Sequence, residues 1–304
     1  MRTAFIETLC DVAQQDERVW LLCGDLGYSV LERFAERFPE RFINMGVAEQ
    51  NMMGVAAGLA RGGKIVFTYS IANFPVMRCL EQIRNDIGYH AANVKIVAVG
   101  GGMAYGTAGY THHGVEDLAV MRVMPNMTVI APGDPVETRL ATRAVAAHNG
   151  PCYLRLGKGG EPVVHTTPPE FAIGRALILR AGADVALLST GAILPMALAA
   201  SDILADTGVG AAVVSVPTLR PLDRAAIIRA AVPARLVVTV EEHLTWGGLG
   251  SAVAEVLSEE SVGVRLLRLG LTAAPDTVGA QAYLRRQSGL DATGIAEAVR
   301  AALA

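Results

Sequence analysis

Val94-Lys-Ile-Val-Ala-Val99-Gly100-Gly-Gly102 is a short apolar run, rich in β-branched residues, that empties into glycines. A run of this length with no polar alternation reads as a strand covered on both faces, which is the pattern of a parallel sheet. Working outward, Lys64-Ile-Val-Phe-Thr-Tyr69 reads as a second such strand and Val76 to His90 as the helix between the two. Val19-Trp-Leu-Leu-Cys23, Phe42-Ile43, Val129-Ile130 and Cys152-Tyr-Leu-Arg155 supply further strands. Helical patterns at 3–15, 29–37, 47–61 and 135–147 separate them, the third stopped by Gly62-Gly63. Strands alternating with helices predict an α/β domain with a mostly parallel sheet.

Residues 158–172 carry Gly159, Gly160, Pro162, Pro168 and Pro169 and read as a linker. Beyond it the alternation restarts, with strands at 185–188, 212–214, 236–240 and 264–267 and helices near 194–205, 223–230, 248–258 and 291–303. The expected organisation is therefore two α/β domains, 1–165 and 173–304.

Composition narrows the function classes. Apolar residues make up 52% of the 304 and charged residues only 18%, with a mean hydropathy of +0.37. So apolar a chain is expected to cover part of its surface with a partner. A net charge of −3 without any basic run argues against nucleic acid. The longest apolar stretch, Val185 to Ala200, is broken by Thr190, Gly191 and Pro195, so no membrane span is expected. Cys10, Cys23, Cys79 and Cys152 show no paired spacing, which suits buried reduced thiols in the cytoplasm and offers no metal site.

Open parallel sheets bind ligands beyond the carboxyl ends of their strands. Five candidate groups fall there. Glu49 is the one carboxylate in Asn44-Met-Gly-Val-Ala-Glu49-Gln-Asn-Met-Met-Gly-Val-Ala-Ala-Gly58, whose small residues permit close backbone approach. It is either a helix-terminal charge facing water or a desolvated acid/base group. Phe74, between a strand and a helix, can stack on a flat heterocycle or fill the core. His112 and His113 end the glycine-rich loop 100–114 and can bond a polar substrate or face solvent. Arg155 and Lys158, at a strand end, can hold a phosphate or lie solvated at a domain edge. Asp25 can bond a cofactor or cap the next helix. There is no Gly-Lys-Ser/Thr loop and no Gly-x-Gly-x-x-Gly between a strand and a helix.

As an ordered set, Gly24-Asp-Leu-Gly27, Gly46-Val-Ala-Glu-Gln-Asn51, Asn73-Phe74, Glu81-Gln-Ile-Arg-Asn85, Thr111-His-His-Gly114, Pro125-Asn-Met127, Pro132-Gly-Asp134, Gly150-Pro151 and Arg155-Leu-Gly-Lys158 resemble the C-terminal half of transketolase, as found in enzymes split into two subunits. The resemblance implies a pyrimidine-binding domain followed by a transketolase C-terminal domain, and thiamine diphosphate as cofactor. It places Glu49 against the cofactor's aminopyrimidine, where burial would favour proton sharing over the dipole's preference for the charge. It places Phe74 on that ring, Asp25 near the cofactor, His112 on the substrate's reacting hydroxyl with His113 beside it, and Lys158 and Arg155 at a sugar phosphate.

Two departures stand out. The family's aspartate four residues before the histidine is Ala108 here, and its phosphate-binding arginine is Lys158. The Gly-Asp-Gly…Asn motif that holds the diphosphate through Mg2+ is also missing. The resemblance then implies an N-terminal partner subunit carrying that motif, an α2β2 assembly, and a sugar-phosphate or related ketose/aldose substrate. A 2-oxoacid decarboxylase or synthase subunit, of the 1-deoxyxylulose-5-phosphate synthase or dehydrogenase-beta kind, is the alternative that Ala108 supports.

Overall fold

The computed structural model describes residues 1–304. The strands of the first half are β1 (Val19–Cys23), β2 (Phe42–Asn44), β3 (Ile65–Ile71), β4 (Val94–Val99), β5 (Thr128–Ile130) and β6 (Cys152–Leu156). Those of the second half are β7 (Leu177–Arg180), β8 (Val185–Thr190), β9 (Ala211–Ser215), β10 (Thr218–Arg220), β11 (Leu236–Leu244) and β12 (Arg265–Leu271). All six residues of β4 are buried, as a strand covered on both faces requires. Its Lys95 is accommodated because Nζ donates to the His148 and Gly150 carbonyl oxygens at 2.7 and 2.5 Å, and burial pushes its pKa down.

The first sheet has the order β10-β5-β6-β4-β3-β1-β2 and the second β12-β11-β8-β9-β7. Both are parallel apart from one antiparallel edge strand each, β10 against β5 and β7 against β9. Neither edge strand is predicted by the sequence pattern. β10 comes from the second half of the chain yet pairs Thr218 with Ile130 in the first sheet. The largest apolar cluster likewise runs from Met53 and Ala57 through Met127 to Leu188, Val214 and Val253. The two halves therefore share a core.

In the first sheet β2 lies to one side of β1, while β3 and β4 follow on the other. The winding reverses between β1 and β3, and a crevice opens at their carboxyl ends. The helix Glu49–Arg61 connects β2 to β3, so its first residue is delivered to that crevice.

One predicted element differs. The continuous helix expected over 76–90 is a short helix Phe74–Met77, a break at Arg78–Cys79, a turn Leu80–Gln82 and a π-helical turn Ile83–Gly88. At its end Gly88 packs so tightly that a Cβ would come within 2.8 Å of the Pro125 carbonyl oxygen. That close approach fixes where the segment ends.

No helix or strand lies between Leu156 and Leu177, but the segment is pinned. Asp134 caps the helix Pro135–Ala147 by accepting from the Glu137 N–H at 2.7 Å, and its other oxygen accepts from the Val164 and His165 N–H groups. His165 Nε2 lies 2.8 Å from Glu137 Oε1, and this bond raises the His165 pKa against the opposing effect of burial. A raised folded-state pKa stabilises fully below the ordinary histidine value near 6.5 and is lost as pH climbs through the folded value. His165→Gln is thus expected to cost about 1.5–3 kcal/mol below pH ~6 and less at pH ~8, read from melting curves at both pH values. An equal loss at the two would contradict a charged pair.

No helix is long and apolar enough to cross a membrane. All four cysteines are free and buried.

Candidate active site

Gly24 directly follows β1, Ser70 lies near the end of β3, and the Glu49 carboxylate sits between them. Glu49 is 2% exposed. Ser70 Oγ lies 3.4 Å from Glu49 Oε1, and a Cβ at Gly24 would stand 3.4 Å from the same oxygen. Glycine at 24 keeps the space over the carboxylate open. Of the two readings left open for Glu49, the water-facing one is excluded by this burial.

The other oxygen is claimed by a residue that the motifs do not single out. Arg78 Nη1 donates to Glu49 Oε2 at 2.9 Å, and the same guanidinium lies 4.6 Å above the Phe74 ring. Phe74 and Arg78 are four residues apart at a helix start, so their sharing a face was available from spacing alone.

Phe74 begins the chain of rings that defines the site. His112 meets it edge-on at 5.2 Å between centroids. Tyr105 lies 6.2 Å from His112, and Lys158 Nζ lies 4.8 Å over Tyr105. Glu49, Phe74, His112 and Lys158 are thus brought onto one side of the carboxyl ends. Asn73 Nδ2 donates to the Thr111 carbonyl oxygen at 2.8 Å, tying the end of β3 to the histidine loop. A cleft of about 440 Å³ opens here, lined by Asn73, Phe74, Arg78, Tyr110, Thr111 and His113 among others. A larger depression of about 650 Å³ lies near Arg18 and His148, by the amino ends of the strands and away from these groups. Size does not mark the site.

His113 is buried with neither ring nitrogen hydrogen-bonded. Burial pushes its pKa down, which favours the uncharged imidazole near neutral pH.

Asp25 caps no helix; the next one begins at Glu32. Asp25 instead holds a left-handed backbone, φ +54°. Its Oδ1 accepts from Asn44 Nδ2 at 2.9 Å, and its N–H donates to Asn44 Oδ1 at 3.1 Å. A non-glycine residue in this conformation stores strain, which such a reciprocal pair has to hold in place.

Arg155 corrects the sequence expectation. It is not at a phosphate-accessible edge but buried between the two halves, where Nε donates to Asp117 Oδ2 at 2.8 Å. Nη2 donates to the Gly114 and Glu242 carbonyl oxygens at 2.5 and 3.0 Å. The Arg155-Leu-Gly-Lys158 spacing could not reveal this, because Asp117 and Glu242 come from distant segments.

Glu242 completes the strut. It accepts from the Met103 N–H at 2.8 Å, from Gln281 at 2.9 Å and from Arg285 Nη2 at 2.6 Å. Carboxylate and guanidinium together fasten the glycine-rich loop to the second half. The available signal was Glu241-Glu242-His243, three ionisable residues closing a buried strand.

The residues fit an aminopyrimidine: a buried carboxylate, space beside it, an aromatic face and unbonded imidazole nitrogens. No three His, Cys, Asp or Glu side chains cluster as a metal site.

Comparisons with known proteins identify the family. Residues 1–161 match the transketolase pyrimidine-binding domain and residues 174–295 the transketolase C-terminal domain. The chain is 41% identical over 302 residues to a putative transketolase C-terminal section of Methanocaldococcus jannaschii, covering 98% of this chain and 95% of that protein. It is 41% identical over 299 residues to the 6-deoxy-6-sulfo-D-fructose transketolase subunit SqwH of a Clostridium species, covering 98% and 92%. A 1-deoxy-D-xylulose-5-phosphate synthase of Syntrophotalea carbinolica is 38% identical over 97% of this chain, which spans only 47% of that protein. Among solved structures, a split-gene transketolase described as an inactive beta4 tetramer superposes with a TM-score of 0.90 at 41% identity, covering 99% and 97% of the two chains. The chain belongs to the transketolase family, with the pyrimidine-binding and C-terminal domains that make up the C-terminal subunit of a split transketolase.

Proposed function

We propose that this chain is the C-terminal, or beta, subunit of a thiamine-diphosphate-dependent split transketolase, moving a two-carbon ketol unit between sugar or sugar-phosphate substrates. The observation that carries the reading is the buried Glu49 at the reversal point of the sheet, beside an aromatic face, in a chain without a phosphate-binding loop. Half of a cofactor site is what these residues make. The other half, including the Mg2+ that binds the diphosphate, is assigned to an N-terminal partner subunit in an α2β2 assembly. Exposed Tyr28, Val47, Tyr89 and Trp246 offer apolar surface for such contacts. The buried thiols and the absence of any disulfide suit a cytoplasmic enzyme.

When bound, thiamine diphosphate supplies the electron sink for breaking the bond beside a ketose carbonyl. The protein's part is binding, orientation and proton placement. Glu49 shares a proton with the aminopyrimidine ring from a desolvated position. Phe74 supports the ring face, and Asp25, just beyond β1, lies near the cofactor. His112 holds the substrate's reacting hydroxyl, and the buried His113 next to it in sequence bonds a neighbouring oxygen. Lys158 offers a point charge to a substrate anion, without the two-pronged grip of an arginine.

Ala108 favours a second reading, a 2-oxoacid donor, because it places a methyl group in the turn Gly106–Ala108 before the histidines, where a hydroxyl-reading carboxylate would otherwise stand. Donor assays on the chain mixed with its N-terminal partner decide between the two. Ketose-dependent acceptor elongation is expected. Carbon dioxide release from pyruvate with no ketose turnover would replace the first reading by the second.

A further inference from the structure

Arg78 does two things with one guanidinium. It bonds Glu49 Oε2 at 2.9 Å and covers the Phe74 face at 4.6 Å. A flat aminopyrimidine held by Glu49 and stacked on Phe74 needs that oxygen and that face, so cation and ring compete for one place. We propose that Arg78 is a placeholder, holding the site closed in the unliganded chain and leaving when the pyrimidine enters. This rests on the cofactor reading above and adds how access to the site is controlled.

Three observations make Arg78 displaceable. The pair is lopsided in burial: the Arg78 side chain is 50% exposed and Glu49 only 2%. The cation can therefore return to water at little cost, whereas the carboxylate must stay and find a new partner. Arg78 lines the cleft and Glu49 does not, so the cation stands between the carboxylate and arriving ligand. The helix is also broken at this point, with Cys79 at φ −115° and ψ 14° between the turns Phe74–Met77 and Leu80–Gln82. Rotation of Arg78 then need not unwind a continuous helix. On the same cleft wall Glu116, whose Oε1 accepts from the Tyr110 hydroxyl at 2.5 Å, offers a second carboxylate for the released cation.

A ligand that binds only the open state has its apparent affinity lowered by the open fraction. With the site open about a tenth of the time, removing the placeholder should tighten binding about tenfold. The test is calorimetric titration of thiamine diphosphate with Mg2+ into the full chain assembled with its N-terminal partner, comparing wild type, Arg78→Met, Arg78→Gln and Arg78→Lys. Both neutral variants are expected to bind about tenfold tighter, and the lysine variant to return toward wild type because it restores the cation. Equal or weaker binding by the neutral variants would overturn the proposal and make Arg78 part of the assembled site. Failure of both neutral variants to fold would overturn it too, since a removable placeholder cannot be required for the fold. If the wild-type assembly takes up no cofactor, it is the proposed function that fails.

Discussion

Glu49→Gln is expected to lower turnover of the assembled enzyme by about 10³-fold or more, while the chain folds and assembles normally. The substitution keeps the side chain's volume and lets its amide bond Ser70 Oγ, 3.4 Å away in the wild type. It removes the ability to share a proton, together with the charge that pairs with Arg78. The Arg78 left behind is half exposed and can be hydrated, so no buried charge is orphaned and stability should change little. Steady-state kinetics beside a melting curve reads both parts. Near-normal turnover would remove Glu49 from its assigned role, and a large fall in melting temperature would show the carboxylate to be chiefly a structural group.

Arg155→Met has the larger effect on stability. It removes the cation from a fully enclosed network and leaves Asp117, 1% exposed, with only the Tyr153 hydroxyl at 2.5 Å as hydrogen-bond donor. The Gly114 and Glu242 carbonyl oxygens lose a donor as well. Breaking a buried pair from one side costs about 3–5 kcal/mol, against about 0.5 kcal/mol for a surface charge. Methionine fills much of the volume but meets none of these acceptors. Denaturant unfolding is expected to show the loss, with the glycine-rich loop 100–114 more open to hydrogen exchange. A stable variant with a raised KM for phosphorylated substrates would instead restore Arg155 to the phosphate role that its sequence position suggests.

The contrast between Glu49 and Arg155 shows what the sequence can carry. Strand and helix order follows from local periodicity, and β4 is legible because six consecutive residues are buried together. Glu49 is legible because a lone carboxylate among small and apolar residues must be either capped or enclosed. Its pairing with Arg78 is half legible, through the four-residue spacing to Phe74. The π-helical turn at Ile83–Gly88 is not, since it depends on the Pro125 carbonyl packing against Gly88. Nor is β10, a strand of three residues whose place is set by a register with β5 nearly ninety residues away. Arg155 fails for the same reason. A charged residue at a strand end reads as a ligand group unless its partners are known, and here they come from Gly114, Asp117 and Glu242. Local pattern places the site; long-range contacts decide which of its charges are free.

The central claim is that this chain holds half of a cofactor site and that a second polypeptide completes it. The most direct measurement is calorimetric titration of thiamine diphosphate with Mg2+ into this chain alone, into the N-terminal partner alone, and into the two mixed. Tight uptake only by the mixture is the expected result, since the proposed reading puts the pyrimidine contacts on this chain and the diphosphate contacts on its partner. Tight, Mg2+-dependent binding by this chain alone would contradict the account.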